Sequence, residues 1–135
     1  MSALTCDTPR IYELGDINQF LVADSTIIYE GAAISINNLG QAKPLVGGEK
    51  FVGFAEQQVD NQLLFSDRPS VRVKSLGKVA LLIANINPSD VGKVVFASSD
   101  NTFTLVAEGA SPIGYVYRVQ NIGLTVVAFN SYITT

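Results

Sequence analysis

The commonest catalytic side chain in small proteins is absent from this chain, whose 135 residues include no histidine. Without imidazole, Ser-His-Asp and Cys-His nucleophile arrangements and His-ligated metal sites are excluded. Gly109-Ala110-Ser111-Pro112-Ile113-Gly114 places a serine between glycines. The spacing differs from a nucleophile elbow and proline follows the serine, so the segment reads as a turn. Gly47-Gly48 is followed by Glu49, whose carboxylate would repel a phosphate. Asp60, Asp67, Asp90 and Asp100 fall where turns are expected, and aspartate there bonds nearby backbone rather than serving as a glycosidase pair. Asp60-Asn61 and Asp100-Asn101 offer oxygen ligands without the spacing of a calcium loop. Cys6 is the sole cysteine, so no disulfide framework exists. The expectation is a protein that is not an enzyme and takes no cofactor and no metal.

Two aromatics carry a different kind of chemistry. Tyr115 and Tyr117 flank Val116 on one strand face. They suit a sugar-stacking or partner-facing strip, or the mouth of a barrel. Core packing is the preferred reading, because tyrosine can bury its ring and expose its hydroxyl.

The elements that must position these residues are strands. From Phe20 onward, short runs rich in Val, Ile, Phe, Tyr and Thr alternate with Gly, Asn, Asp and Pro. Strands are expected at 26–30, 33–37, 51–57, 61–65, 71–74, 78–84, 93–97, 102–106, 114–120 and 124–129. In 71–74, Val71 and Val73 point one way and Arg72 and Lys74 the other; Phe103 and Leu105 likewise face inward between threonines. Asn37-Asn38-Leu39-Gly40, Ser75-Leu76-Gly77 and Ser99-Asp100-Asn101 supply turn residues between strands. The one short helical turn expected is at Asn87-Pro88-Ser89-Asp90-Val91, with proline at a first helical position. The fold class is therefore all-β, a small antiparallel β-barrel or β-sandwich, tulip-like or jelly-roll. Residues 1–18, where Asp7, Thr8 and Pro9 interrupt any period, read as an extended arm ahead of a single β domain at 19–135.

Composition narrows the function. Charged residues are 16% of the chain, against roughly 25% in an ordinary soluble domain. Mean hydropathy is +0.28. A sparsely charged protein must either be very compact or hide surface against partners, which brings self-assembly into consideration. The net charge of −3 argues against nucleic acid. No apolar run reaches the roughly 20 residues of a membrane-spanning helix, so no membrane partner is expected. With no secretory signal at the start, synthesis and assembly in a reducing cytoplasm are expected. Up to Gly40 there are five acids (Asp7, Glu13, Asp16, Asp24, Glu30) and one base, Arg10. From Arg68 to Lys93 there are five bases and one acid, Asp90. The two segments read either as separately solvated surfaces or as faces that dock, within the chain or between neighbours.

A family resemblance rests on a succession of blocks. These are Ile28-Tyr29-Glu30-Gly31-Ala32-Ala33-Ile34-Ser35-Ile36, Gly40-Gln41-Ala42-Lys43-Pro44, Phe51-Val52-Gly53-Phe54-Ala55 and Val71-Arg72-Val73-Lys74-Ser75-Leu76-Gly77. Asp90-Val91-Gly92-Lys93-Val94-Val95-Phe96-Ala97-Ser98-Ser99-Asp100 with Thr102-Phe103-Thr104-Leu105, then Pro112-Ile113-Gly114, complete the series. In order and spacing, across residues 27–119, the chain resembles tailed-phage capsid cement (decoration, head-stabilising) proteins. The resemblance implies a virion protein on the capsid exterior that binds the major capsid protein where coat subunits meet. It implies a homo-oligomer, trimer or dimer, and supplies no catalytic residues.

The partner surfaces expected for such a role are the arm and the basic strand: Asp7, Arg10, Tyr12, Glu13, Arg68, Arg72, Lys74 and Lys78. The arm would add a strand to a neighbour's edge. The rival readings are a small β-sandwich module for carbohydrate or receptor binding, and another structural virion component such as a tail protein.

Overall fold

The computed structural model describes residues 3, 5–10, 15–62, 69–121 and 123–131. It is all-β. The strands are β1 (Ile17–Leu21), β2 (Thr26–Ile28), β3 (Ala33–Ile36), β4 (Ala42–Pro44), β5 (Phe51–Ala55), β6 (Val59–Asn61), β7 (Ser70–Lys74), β8 (Leu76–Leu82), β9 (Val94–Ser99), β10 (Thr102–Thr104), β11 (Ser111–Val119) and β12 (Leu124–Asn130). A single 3-10 turn, Pro88–Asp90, lies where proline and an acidic cap call for it. Two five-stranded antiparallel sheets form, ordered β1-β7-β5-β3-β4 and β10-β9-β11-β12-β8, with a two-stranded ribbon of β2 and β6.

The first sheet curls until its ends meet. Val22 N–H donates to the Pro69 carbonyl beside β7 at 2.9 Å, and the next residue, Ala23, donates to the Ala42 carbonyl of β4 at 2.9 Å. Val22 also bridges Ala42 in a parallel sense. The buried Asn61 amide completes the seam by donating to the carbonyls of Val22 at 3.2 Å and Ala23 at 3.0 Å. Inside the curl lie Val22, Ile28, Ile34, Ala42, Val52, Val71 and Val73, with the β2–β6 ribbon contributing Ile28 and Val59.

A bulge lets the same sheet serve a second core. Ile34 pairs with Gly53 and Ser35 with Phe51, so Val52 is an extra residue in β5. Phe51 and Phe54 therefore share one face although three positions apart, while Val52 and Ala55 join the curl. Gly53 permits this: its φ is +141°, and a Cβ there would meet the Lys74 carbonyl oxygen at 2.4 Å. Phe54 stands edge-on to Phe129 of β12 at 4.9 Å and to Phe51 at 5.3 Å, and lies 6.0 Å from Phe103 of β10. Such pairs add about 0.5–1.5 kcal/mol each beyond burial. Val95, Ala97, Ile113, Val116 and Val127 of the second sheet close this inter-sheet core.

Polar staples bind the sheets. Gly47 N–H donates to the Ser98 carbonyl at 3.2 Å, Ala33 N–H to the Asp100 carbonyl at 2.9 Å, and Gly48 N–H to Ser111 Oγ at 2.9 Å. Ser111 Oγ in turn donates to the Glu49 carbonyl. The Glu49 carboxylate accepts from Lys43 Nζ at 2.5 Å, from the fully buried Ser35 Oγ at 2.9 Å and from Val46 N–H at 3.0 Å. Burial pushes this carboxyl up, but those donors outweigh it and hold Glu49 below its ordinary value of 4.5.

Several expectations are corrected. β1 and β4 were not anticipated as strands. In β1 one face holds Ile17, Gln19 and Leu21 and the other Asn18 and Phe20, so both faces mix polar and apolar residues and no polar-out alternation marks the strand; in β4, Pro44 argues against a strand but is tolerated at a sheet edge. The arm expected at 1–18 ends inside the fold, because Ile17 and Asn18 begin β1 and pair with Lys74 and Val73. Ser75-Leu76-Gly77 is a crossing rather than a hairpin turn. Ser75 donates its N–H to the Asp16 carbonyl beside the first sheet and accepts from Ser131 N–H beside the second, both at 2.8 Å, and β8 starts at Leu76. The expected strand 61–65 is β6 at Val59–Asn61; residues 63–65 lie outside the described residues.

Two outcomes test this packing. Thr125 is fully buried and its Oγ1 has no hydrogen-bond partner, so Thr125→Val should raise stability by about 1 kcal/mol, read as a higher denaturation midpoint. Because the folded pKa of Glu49 is depressed, its contribution is present above pH 4.5 and lost as pH falls through the folded value. Glu49→Gln should therefore cost about 1 kcal/mol at neutral pH and flatten the decline of Tm below that pH; an unchanged pH profile would remove Glu49 from the stapling.

Candidate functional site

The outward face of the second sheet is the exposed surface least explained by folding. On β8 it carries Lys78, Ala80 and Leu82, on β12 Val126 and Ala128, on β9 Val94, and on β11 Tyr115. Leu82 is 75% exposed, Val94 47% and Tyr115 46%. A bulge in β11 pairs Val116 with Val127 and Arg118 with Val126, leaving Tyr117 as the extra residue. The bulge turns Tyr117 and Arg118 out side by side, while Val116 remains fully buried.

Lys78 Nζ lies 4.2 Å from the Tyr117 ring centre, and the Arg118 guanidinium carbon 5.8 Å from it. Such contacts contribute about 0.5–1 kcal/mol at exposed positions. Beside them a groove of about 440 Å³ runs over Leu76, Gly77, Lys78, Tyr115, Ala128 and Asn130. Gly114 makes the floor close-packed, since a Cβ there would meet the Ala128 carbonyl oxygen at 2.0 Å. The lining offers a cation, an amide, a phenol and apolar walls. This chemistry suits adhesion.

The tyrosines thus correct the expectation of core packing: Tyr115 and Tyr117 are exposed, and Val116 between them takes the core position. Both faces of this stretch are apolar, so the alternation alone does not say which is inside.

The first sheet offers a smaller polar face on β1 and β7, where register puts Ile17, Gln19 and Leu21 beside Lys74, Arg72 and Ser70. Arg72 pairs with Glu56 at 3.1 Å, and Lys74 with Asp16 at 3.3 Å. The acidic segment and the basic strand therefore meet within one chain at Asp16 and Lys74. The residues expected to act together are divided: Arg72 and Lys74 lie on this face, and Lys78 lies on the outward face of the other sheet. Asp7 and Arg10 are exposed in a stretch without regular structure. Tyr12, Glu13 and Arg68 lie outside the described residues. Cys6 is exposed and unpaired by disulfide. Among the described residues no three His, Cys, Asp or Glu side chains gather as a metal-binding group.

The surface residues not anticipated are Leu82, Val94 and Arg118. Leu82 lies within the apolar run Val79-Ala80-Leu81-Leu82-Ile83-Ala84, and only the pairing of β8 with β12 shows it facing out.

In comparisons with known proteins, no family model matches the chain and no curated protein matches its sequence.

The Arg72–Glu56 and Lys74–Asp16 pairs are solvent-accessible, and such pairs contribute about 0–1 kcal/mol. Arg72→Ala and Lys74→Ala should each cost no more than about 1 kcal/mol, read from the denaturation midpoint, and salt should erase the difference. A larger, salt-independent loss would assign these residues a structural role.

Proposed function

We propose that this protein is a non-catalytic structural component of a virion, binding the outside of a tailed-phage capsid and bridging neighbouring major coat subunits. The observation that carries the reading is the outward face of the second sheet, where Leu82, Val94 and Tyr115 remain exposed and the cations Lys78 and Arg118 lie against Tyr117. A face of that composition favours burial against a protein partner. The resemblance of residues 27–119 to capsid cement proteins supplies the kind of partner. The mechanism is mechanical: contacts repeated over a lattice turn modest individual affinities into firm attachment, and opening the shell then requires breaking them. The protein works as a homo-oligomer, dimer or trimer, on the shell. The exposed stretch holding Asp7 and Arg10 is its second contact, suited to lie along a neighbour.

A second reading rests on the tyrosines. Tyr115 beside the groove that includes Lys78 and Asn130 resembles the platform-and-amide arrangement of a carbohydrate-binding module. A glycan array separates the two.

The decisive measurement is co-sedimentation with mature and immature shells of the virus that encodes the protein. Binding to mature shells is expected, weakened by Tyr115→Ala and by deletion of residues 1–14, which stops short of β1. No binding to either shell, or glycan binding instead, would sink the capsid reading; a truncated protein that binds unchanged would remove the arm from it.

A further inference from the structure

The edge of the second sheet formed by β8 carries an unusual combination of features. At seven residues it is longer than the other sheet-edge strands, β1 with five, β4 with three and β10 with three. It contains no proline, and its register with β12 runs without a bulge from Leu76 to Leu82. Natural sheets commonly blunt such an edge with proline, a bulge or a lysine. The one charge on β8 is Lys78, and its ammonium is drawn over the Tyr117 ring. Tyr117 belongs to β11, on the far side of β12 from β8, so the charge leans away from the edge.

The hydrogen-bond phase says which groups are open. Ser131 N–H donates to the Ser75 carbonyl and Ile83 N–H to the Gly123 carbonyl. In an antiparallel ladder bonded pairs alternate, so Gly77, Val79 and Leu81 bond to β12. Leu76, Lys78, Ala80 and Leu82 then direct their N–H and C=O groups outward, past the sheet.

We propose that β8 is a self-association edge, pairing antiparallel with β8 of a second copy across a two-fold axis at Val79. This register is self-complementary. Leu76 faces the second copy's Leu82, and Lys78 faces its Ala80, each facing pair exchanging both backbone bonds. The outward-facing Leu82, 75% exposed in one chain, is covered by leucine. On the inner face Val79 meets Val79, extending the inter-sheet core against which it already packs. A slip that centres the pair on Lys78 would set the two lysines directly opposite, which is unfavourable. A slip centred on Ala80 would leave Leu76 unpaired. The result joins two five-stranded sheets into one continuous sheet and makes the two outward faces a single surface. It does not depend on the capsid reading, because the dimer forms without a shell.

Sedimentation velocity of the full chain tests it. A concentration-dependent dimer is expected, weakened at least about tenfold by Ala80→Lys, which opposes Lys78 of the second copy. K78E/A80K restores an opposite-charge pair in this register alone and should recover the dimer. The second readout is Val79→Cys in a Cys6→Ser background. The facing Cα atoms of a non-bonded pair lie about 4.5 Å apart, within disulfide reach, so oxidation should yield a covalent dimer. A monomer at high micromolar concentration that also fails to cross-link would overturn the proposal. So would a dimer that A80K leaves intact while its circular dichroism shows a folded chain. Should A80K fail to fold, the cross-link alone decides.

Discussion

At Val22 and Ala23 one short piece of backbone bonds in two directions, to the Pro69 carbonyl on one side and the Ala42 carbonyl on the other. The first bond continues the pairing of edge strand β1 with β7, and the second reaches β4, the opposite edge of the same five-stranded sheet. A sheet whose ends are joined cannot lie flat, so β1, β7, β5, β3 and β4 curl round a core of aliphatic side chains. The Asn61 amide, buried at 5% exposure, donates to the carbonyls of Val22 and Ala23 themselves. The closure also deals with two potential edges at once, since sheet ends joined to each other offer less to a passing chain.

The remaining architecture follows from that curl. With its concave face filled by its own residues and the β2–β6 ribbon, the sheet has only the opposite face of β3 and β5 to offer the second sheet. The Val52 bulge and the side-chain-free Gly53 put Phe51 and Phe54 there together. The second sheet is covered on one side only. Its outward face stays in solvent with apolar and aromatic residues and two cations, the property from which the functional reading grows. Its edge strand β8 lies at the margin of that same face, so that any chain pairing with β8 would extend it.

Polar groups at the crossing points keep the two layers in register. Ser75 bonds to both sheets, and the Glu49 carboxylate gathers donors from β3, β4 and the following loop while its backbone carbonyl is bound by Ser111 of β11. At the other end, Asp90 Oδ2 accepts from Asn87 N–H at 2.9 Å, and Oδ1 pairs with Lys93 at 2.8 Å. The Lys93 ammonium and the Asn87 donor hold the Asp90 carboxyl below its ordinary value of 3.8. Few charges are spent in this molecule, and several of those present hold loops in place.

Read alone, the amino-acid order determined the all-β class, most strand positions, the turn at Pro88 and the inward set of β7, because period-two patterns and turn residues act locally. Val71 and Val73 alternate with Arg72 and Lys74, and both valines are fully buried. What tertiary structure alone decided is which side of an apolar stretch is inside. Tyr115-Val116-Tyr117 and the run through Leu82 are apolar on both faces, and their orientation depends on neighbours distant in sequence. β1 and β4 were hidden for reasons of their own: one shows no polar-out alternation, and the other holds a proline that an edge position tolerates. The union of Asp16 with Lys74, and the separation of Lys78 from both, likewise belong to the crossing at Ser75, where the chain leaves one sheet for the other.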